Sequence, residues 1–230
     1  MITLNAPPKP APAPAPISHT SQAEAVDAFH QLYYHDAGQS TWNDTYWLGH
    51  RVFKCPMDLW IYQEILFEQK PDVIIECGTL LGGSALFFAT MCDILGKGRV
   101  ITIDIDPSDG KPRHPRLTYF QGSSTSDDIV QRVRRRIEPH EKVLVILDSD
   151  HSKDHVLNEL RIYSKIVTVG SYMIVEDGNI NGHPVYPDFG PGPMEAMDEF
   201  FRENRDFVVD ESREKFMLTF NPRGYLRRLR

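Results

Sequence analysis

The chain has 230 residues and a formal net charge of −7, and 41% of its residues are hydrophobic. This length is enough for one domain with a sizeable core and an appendage. The acidic balance argues against nucleic acid as a partner, because phosphate binding favours a basic surface. The longest apolar runs, such as residues 143–147, are far shorter than the ~20 residues of a membrane helix. We therefore expect no transmembrane segment.

The cysteines and the N-terminal residues indicate where the protein works. Cys55, Cys77 and Cys92 fit neither a disulfide framework nor a zinc spacing. The N-terminus has no basic segment followed by an apolar one, so it does not look like a secretory signal. We expect a cytoplasmic protein. Residues 7–16, PPKPAPAPAP, predict an extended arm that joins no packed core and is either flexible or ties subunits of a homo-oligomer together.

The predicted elements follow in chain order from a helix at residues 21–34, which places Ala25, Phe29 and Leu32 on one face. Later helices are predicted at 57–67, 83–95, 155–163 and 194–202, with a helical stripe at Ile129, Val133 and Ile137. Strands are predicted at 73–77, 100–105, 117–121, 143–148 and 172–177. This alternation indicates a doubly wound α/β fold, a parallel sheet with helices on both faces.

The C-terminal part departs from the alternation. Residues 207–210 and 215–220 are both β-rich, and they lie too close together for a crossover helix. We therefore expect these two segments to pair antiparallel. The arginine-rich residues 223–230 are typical of a solvated tail.

A glycine-rich turn follows the first predicted strand, at the edge where ligands of doubly wound sheets bind. Gly78 and Gly82 allow a tight turn and a close approach to a ligand, but their spacing is not that of a dinucleotide site. Asp104 ends the second strand, where a carboxylate can accept both hydroxyls of a ribose. Ser123 and Ser124 follow the third strand and are candidates to bond an adenine edge. A plain turn and ordinary helix caps are the alternative explanation of these residues.

Three carboxylates end the fourth and fifth predicted strands: Asp148 on one, and Glu176 and Asp177 on the other. We expect the two strands to be neighbours, so these carboxylates converge and repel one another. A hard cation with oxygen ligands removes the repulsion, and Mg²⁺ fits better than zinc, which prefers thiolates and several histidines. Asp150 is a rival ligand in the same loop, and helix capping or pairing with arginine is the alternative to a metal.

His151 lies three residues after Asp148, on the loop above the fourth strand. A neutral imidazole there can accept the proton of an alcohol as a methyl group arrives. A surface histidine beside Ser152, itself a candidate helix cap, is the alternative explanation.

Several blocks of the sequence resemble one known family. They are W-x-Y-Q-E at 60–64, E-C-G-T-L-L-G-G-S at 76–84, L-D-S-D-H-S at 147–152, V-E-D-G-N-I-N-G-H-P-V at 175–185 and F-G-P-G-P at 189–193. Over residues 33–226 the chain resembles the class I S-adenosylmethionine (SAM) methyltransferases. More narrowly, it resembles the cephalosporin hydroxylase family and its bacterial rhamnosyl O-methyltransferases. The resemblance implies a Rossmann-like seven-stranded sheet whose last two strands form an antiparallel hairpin.

The resemblance also implies an activity and its residues. It implies methyl transfer from SAM to a sugar hydroxyl, with Mg²⁺ at Asp148, Glu176 and Asp177 and with His151 as the general base. The loop at 179–193 is expected to cover the acceptor, with Asn179, Asn181 and His183 as candidate contacts. The residues assigned to the cofactor are Glu76, whose carboxylate suits an ammonium group, and Gly78, Thr79, Gly82, Ser84, Asp104, Ser123, Ser124 and Asp148.

We divide the chain accordingly into a Pro-rich arm at 1–20, a helical extension at 21–70 that caps the site or makes oligomer contacts, and a SAM-binding catalytic domain at 71–230. The expected partner is a small molecule or glycoside. Two other functions stay open: methylation of a non-sugar polyol or a phenol, and a non-catalytic SAM-binding subunit. Magnesium-dependent turnover separates the subunit from the enzymes.

Overall fold

A computed structural model describes residues 21–35, 41–107 and 109–230. The predicted Pro-rich arm lies outside the described residues. Within the described ranges, no helix is long and apolar enough to cross a membrane. The helices are α1 Gln22–His35, α2 Pro56–Gln69, α3 Gly83–Ile94, α4 Asp127–Arg134, α5 Lys153–Tyr163 and α6 Pro193–Glu203. The strands are β1 Tyr46–Trp47, β2 His50–Arg51, β3 Val73–Cys77, β4 Arg99–Asp104, β5 Leu117–Gln121, β6 Val143–Leu147, β7 Tyr172–Val175, β8 Phe207–Val209 and β9 Tyr225–Arg228.

Seven of these strands form one sheet in the order β5-β4-β3-β6-β7-β9-β8, and β1 and β2 form a separate small hairpin. Neighbours from β5 to β7 are parallel, whereas β9 runs antiparallel to both β7 and β8. Strands β3 and β6 are buried along their whole length, which explains why β6 is entirely apolar and β3 is apolar except for Glu76. The predicted doubly wound fold is confirmed, and so is the expected adjacency of β6 and β7.

The antiparallel partner of β8 is β9, so the predicted strand at 215–220 is wrong. Leu218 and Phe220 in that segment pack in an apolar cluster with Tyr34 of α1. Their apolar pattern therefore reflects burial against the extension, not a ladder of backbone bonds. The expected solvated tail is wrong as well. Strand β9 lies inside the sheet, and Tyr225 and Leu226 are fully buried.

The buried contacts of helix α1 with the rest of the molecule include two aromatic side chains. Phe29 and Leu32, on the apolar face that the sequence indicates, are exposed, whereas His30 and Tyr34 are buried. The His30 ring stacks on Phe220 with 5.5 Å between ring centroids, and its Nε2 lies 3.0 Å from Nδ2 of Asn179. The amide donates to the ring nitrogen, so this contact requires a neutral imidazole.

Helix α2 is tied to the C-terminal segment by one buried carboxylate. Asp58 accepts hydrogen bonds from Thr219 Oγ1 at 2.6 Å, Phe220 N at 2.8 Å and Tyr225 Oη at 2.9 Å. Burial raises the pKa of Asp58 to about 7, and the bond from Thr219 opposes this. Three donors on one carboxylate fix the extension against the end of the sheet.

The His30 contact makes stability depend on pH. Burial lowers the pKa of His30 to about 4, against about 6.5 in an unfolded chain. The unfolded state therefore binds more protons between these values, so stability is complete above pH 6.5 and falls as the pH drops towards 4. Between pH 7 and 4.5, wild type should lose about 2 kcal/mol more than His30→Gln in urea denaturation. His140→Gln, at an exposed position, should behave like wild type. Equal losses for wild type and His30→Gln would contradict this assignment.

Candidate active site

A cavity of about 680 Å³ opens at the carboxyl ends of the parallel strands. Five of the residues assigned to the cofactor lie on its wall: Gly78, Asp104, Ser123, Ser124 and Asp148. The wall also includes residues that the sequence did not indicate: Trp42, Phe53, Leu80, Ile103, Ile105, Asp106, Gly122, Ser149 and His155. Among the described residues, Glu76, Thr79, Gly82 and Ser84 were assigned to the cofactor but are not part of this wall.

Glu76 is fully buried at the end of β3. Its Oε2 accepts a bond from Thr102 Oγ1 at 2.6 Å, and its Oε1 has no partner in the part of the chain that the structure describes. Burial raises the pKa of Glu76 to about 7, and the positive charge of Lys54 opposes this rise. An unpartnered buried carboxylate oxygen is costly, so a donor from a bound molecule would stabilise it.

Asp104 holds the glycine-rich turn in place. Its Oδ2 accepts bonds from the backbone N–H groups of Thr79 at 2.8 Å and Leu80 at 2.7 Å. Its Oδ1 accepts a bond from Asp106 N at 2.9 Å. A carboxylate has about four acceptor positions, so about one is left for a ligand hydroxyl where the sequence analysis expected two bonds.

Gly78 links this turn to the acidic loop after β6. Its φ angle is 97°, a left-handed conformation that favours glycine, and an added Cβ would lie 1.7 Å from the carbonyl oxygen of Asp148. The close approach that requires a glycine here is therefore an approach to the protein's own backbone. The cofactor turn and the acidic loop are packed as one unit.

Asp148, His151 and Asp177 come together at the mouths of β6 and β7. Each offers one ligand atom, and these atoms lie within 4.8 Å of one another. His151 Nε2 is 3.0 Å from Asp177 Oδ2. The backbone of Asp177 is left-handed, with a φ angle of 53°, a strained conformation typical of functional sites. Two carboxylates and an imidazole form a donor set that can hold a divalent cation.

Glu176, the third predicted ligand, is hydrogen-bonded to other side chains of the protein. Its Oε1 accepts a bond from Lys54 Nζ at 2.6 Å and from Tyr62 Oη at 2.6 Å. The same Nζ lies 2.7 Å from Asp148 Oδ2. Lys54 is buried and bridges the two strands' carboxylates. Lys54 was not among the predicted site residues; its only signal in the sequence is a lone lysine inside the segment F-K-C-P just before α2.

The pKa values in this cluster are set by burial and by these charges. Burial raises the pKa of Asp148, and Lys54 opposes the rise; burial likewise raises the pKa of Asp177, and His151 opposes it. For His151, burial lowers the pKa, but Asp177 and Asp148 outweigh it and the pKa is raised. The cluster therefore favours positive charge, whether from a lysine, an imidazolium or a metal ion.

Asp150, the rival ligand, forms a turn just before the next helix, whose N-cap is Ser152. Its Oδ1 accepts a bond from Ser152 N at 2.8 Å, immediately before α5. That backbone bond lowers the pKa of Asp150. Asp150 lies on the cavity wall but outside the group formed by Asp148 and Asp177.

A second cavity of about 480 Å³ adjoins the first. The two cavities share Trp42, His151 and Asp177. The remaining wall of the second cavity is mainly aromatic and apolar: Tyr34, Ile180, Tyr186, Pro187, Asp188 and Phe189. The loop at residues 179–193, which was expected to cover the acceptor and is called the cover loop below, thus forms one side of this cavity. The N-terminal extension forms the other side.

The three predicted acceptor contacts lie in the cover loop but, among the described residues, form no part of either cavity's wall. Asn179 is fully buried and its amide donates to His30. Asn181 Nδ2 and His183 Nε2 lie 3.1 Å and 2.9 Å from Oε1 of Glu195 at the start of α6. In this structure these side chains hold the loop in place.

The parallel sheet with its reversed β9, and a cavity over the glycine turn, define the fold of class I SAM-dependent methyltransferases. The family model described as "Rhamnosyl O-methyltransferase/CmcI" matches residues 39–229. The chain belongs to this family and is a SAM-dependent O-methyltransferase.

Two curated relatives, both named rhamnosyl O-methyltransferase, are similar over most of their length. The protein from Mycobacterium leprae (strain TN) is 42% identical over 207 residues, covering 87% of this chain and 89% of the relative. The protein from Mycobacterium bovis (strain BCG / Pasteur 1173P2) is 40% identical over 210 residues, covering 87% and 84%. A solved CmcI structure named for Mg and SAM superposes with a TM-score of 0.66 at 24% identity, covering 85% of this chain and 81% of that one.

The Lys54 bridge predicts a large effect on stability. Lys54→Met leaves the buried Glu176 and the partly buried Asp148 without their counter-charge, which should cost about 3–5 kcal/mol. Adding Glu176→Gln should recover part of that loss of stability, because it removes one of the two negative charges that Lys54 no longer balances. Urea denaturation in EDTA measures both. The control Lys215→Met breaks an exposed pair with Glu64 and should cost less than about 1 kcal/mol. A Lys54→Met cost no larger than this control would disprove the bridge.

Proposed function

We propose that this enzyme transfers a methyl group from SAM to a hydroxyl of a sugar acceptor, a rhamnosyl group, with the help of Mg²⁺. The observation that carries the proposal is the meeting of two cavities at His151 and Asp177. A methyl donor in the first cavity and an acceptor in the second would face each other beside a base and a cation site. Positioning two reactants in this way is a large part of catalysis when the methyl donor is already activated.

The first cavity is suited to SAM by its chemistry. Asp104, on its wall, keeps about one acceptor position for a ribose hydroxyl. Glu76 is fully buried and is not on this wall; it stays a predicted partner of the ammonium group because its Oε1 has no partner among the described residues. Leu80 and Ile105 present exposed apolar side chains along the same wall and can cover an aromatic base. The CmcI structure named for Mg and SAM supports the choice of donor.

The cation site is best assigned to Asp148 and Asp177, whose oxygens are already adjacent. Glu176 remains a predicted third ligand, and its Oε1 is engaged by Lys54 and Tyr62. When bound, Mg²⁺ polarises the acceptor hydroxyl and lowers its pKa. Lys54 keeps the carboxylates ionised and correctly spaced.

We assign proton removal to His151. The ring lines both cavities, and its Nε2 lies 3.0 Å from Asp177 Oδ2 at their junction, which leaves Nδ1 as the nitrogen that can accept a proton. Asp177 and Asp148 raise the pKa of His151, which keeps the imidazole protonated when no other positive charge is present. Additional positive charge on those carboxylates would favour the neutral imidazole that can accept a proton.

The acceptor class follows from the second cavity and the relatives. Tyr34, Trp42, Tyr186 and Phe189 give it large apolar faces that suit the C–H-rich face of a sugar ring. The two relatives named rhamnosyl O-methyltransferase favour a rhamnosyl acceptor. The same aromatic lining also accommodates a phenol, so a screen must contain both classes.

The screen uses labelled SAM with rhamnosyl glycosides, other glycosides and catechols, and NMR of the products to locate the new methyl group. We expect methylation of a ring hydroxyl in the rhamnosyl glycosides. Methylation of catechols alone would replace the sugar with a phenol as the acceptor. Absence of turnover with every acceptor, despite SAM binding, would favour the non-catalytic subunit.

The cation makes a separate prediction. EDTA should abolish turnover, and Mg²⁺ should restore it better than Ca²⁺, whose looser coordination positions hydroxyls less well. Asp148→Asn and Asp177→Asn should each lower metal-dependent activity, and Asp154→Asn, on the exposed side of α5, should not. If Asp150→Asn is inactive while Asp148→Asn is fully active, the wrong aspartate has been assigned.

The assignment of His151 as the general base leads to a further prediction. His151→Ala should lower kcat by about 10²–10⁴-fold, the usual contribution of a positioned general base, with SAM affinity nearly unchanged. The acidic limb of the pH–rate profile should disappear, because that limb reports deprotonation of the imidazole. His140→Ala serves as the surface control. A loss in kcat below about threefold with an unchanged profile would assign the base to another group.

A further inference from the structure

A buried carboxylate with no role in the proposed chemistry lies behind the wall of the cofactor cavity. Glu159 of α5 is fully buried. Its Oε1 accepts bonds from Ser124 Oγ at 2.5 Å and from Ser149 Oγ at 2.7 Å. Both serines lie on the wall of the first cavity, after β5 and β6 respectively. One oxygen of Glu159 thus binds the hydroxyls of two residues that line the cavity.

This arrangement sets the hydrogen-bonding polarity of the wall. A serine hydroxyl has one proton, and a carboxylate oxygen can only accept. Ser124 and Ser149 therefore direct their protons to Glu159, and they can offer a ligand only lone pairs. His155, also on the wall, has Nε2 3.2 Å from Ser124 Oγ and 3.5 Å from Glu159 Oε1. Because the serine proton is already used and the carboxylate only accepts, the ring nitrogen is the donor in both contacts. The wall presents acceptors at these two hydroxyls.

The position in the sheet indicates which part of the cofactor meets these hydroxyls. The methyl group of the cofactor must lie beside Asp177, at the carboxyl ends of β6 and β7. The ribose is expected at Asp104, at the end of β4. Strand β5 lies beyond β4 at the edge of the sheet. The loop that follows β5, with Ser124, is therefore on the side to which the purine base extends. Ser149 follows β6, but its hydroxyl lies close to that of Ser124 because both bond the same oxygen of Glu159.

We propose that Glu159 is a positioning residue that makes the cofactor site selective for a 6-amino purine. This inference rests on the proposed SAM donor. The amino group of adenine is a donor and complements the lone pairs of Ser124 and Ser149. The 6-oxo group of hypoxanthine is an acceptor and would face the lone pairs of these serines. The hydroxyl groups cannot rotate to donate to it, because their protons are bonded to Glu159.

The test compares two ligands by isothermal titration calorimetry: S-adenosylhomocysteine and S-inosylhomocysteine, its 6-oxo counterpart. Wild type should bind the adenosyl ligand at least tenfold more tightly, the usual effect of a mismatched hydrogen bond. In Glu159→Gln, the carboxamide can donate to the serine oxygens and free their protons for the cavity. Its preference should fall below about threefold. Glu203→Gln, an exposed residue paired with Arg161, should keep the wild-type preference.

The outcomes separate a positioning role from a structural one. If Glu159→Gln weakens both ligands equally and keeps the wild-type ratio, Glu159 only supports the loops and the inference fails. If that variant does not fold, Ser149→Ala replaces it. This variant removes one acceptor and should reduce the preference severalfold, and an unchanged ratio would overturn the inference. Equal affinities in wild type would overturn this inference alone. Failure of wild type to bind S-adenosylhomocysteine would overturn the proposed function and the inference with it.

Discussion

The structure depends on how three carboxylates are accommodated where two parallel strands end side by side. Strands β6 and β7 are neighbours, so Asp148, Glu176 and Asp177 must share a small, largely buried space. Such a cluster is stable only with compensating positive charge. The protein supplies part of it through Lys54, which bridges the strands, and through His151 beside Asp177. The remaining oxygens of Asp148 and Asp177 are available to a cation.

This constraint explains why the N-terminal extension returns to the sheet. Lys54 precedes α2, and α2 is anchored to the C-terminal segment by the buried Asp58. The same part of the chain contributes Trp42 to both cavities and Tyr34 to the second. The extension therefore supplies the counter-charge of the acidic cluster and one wall of the site at the same time.

Most of the sheet could be predicted because its strands are short, mainly apolar runs between turn residues, as in β6. The glycine turn and the acidic strand ends were visible for the same reason, since topology places strand ends together. A strand was wrongly predicted at 215–220 because apolar residues that are buried against α1 show the same pattern as a strand. Lys54 and the aromatic walls carry no periodic signal, because tertiary packing alone brings them to the site. Glu159 looked like any charged residue of an amphipathic helix.

We have proposed that Asp148 and Asp177 form a divalent-cation site between the two cavities. Titration with Mn²⁺, followed by electron paramagnetic resonance of the free aqueous ion in the presence of S-adenosylhomocysteine, tests this claim without relying on turnover. We expect wild type to bind one Mn²⁺ per chain, which excess Mg²⁺ displaces, and we expect Asp177→Asn to lose that site. Stoichiometric binding that survives in Asp177→Asn, or no binding in wild type, would contradict it.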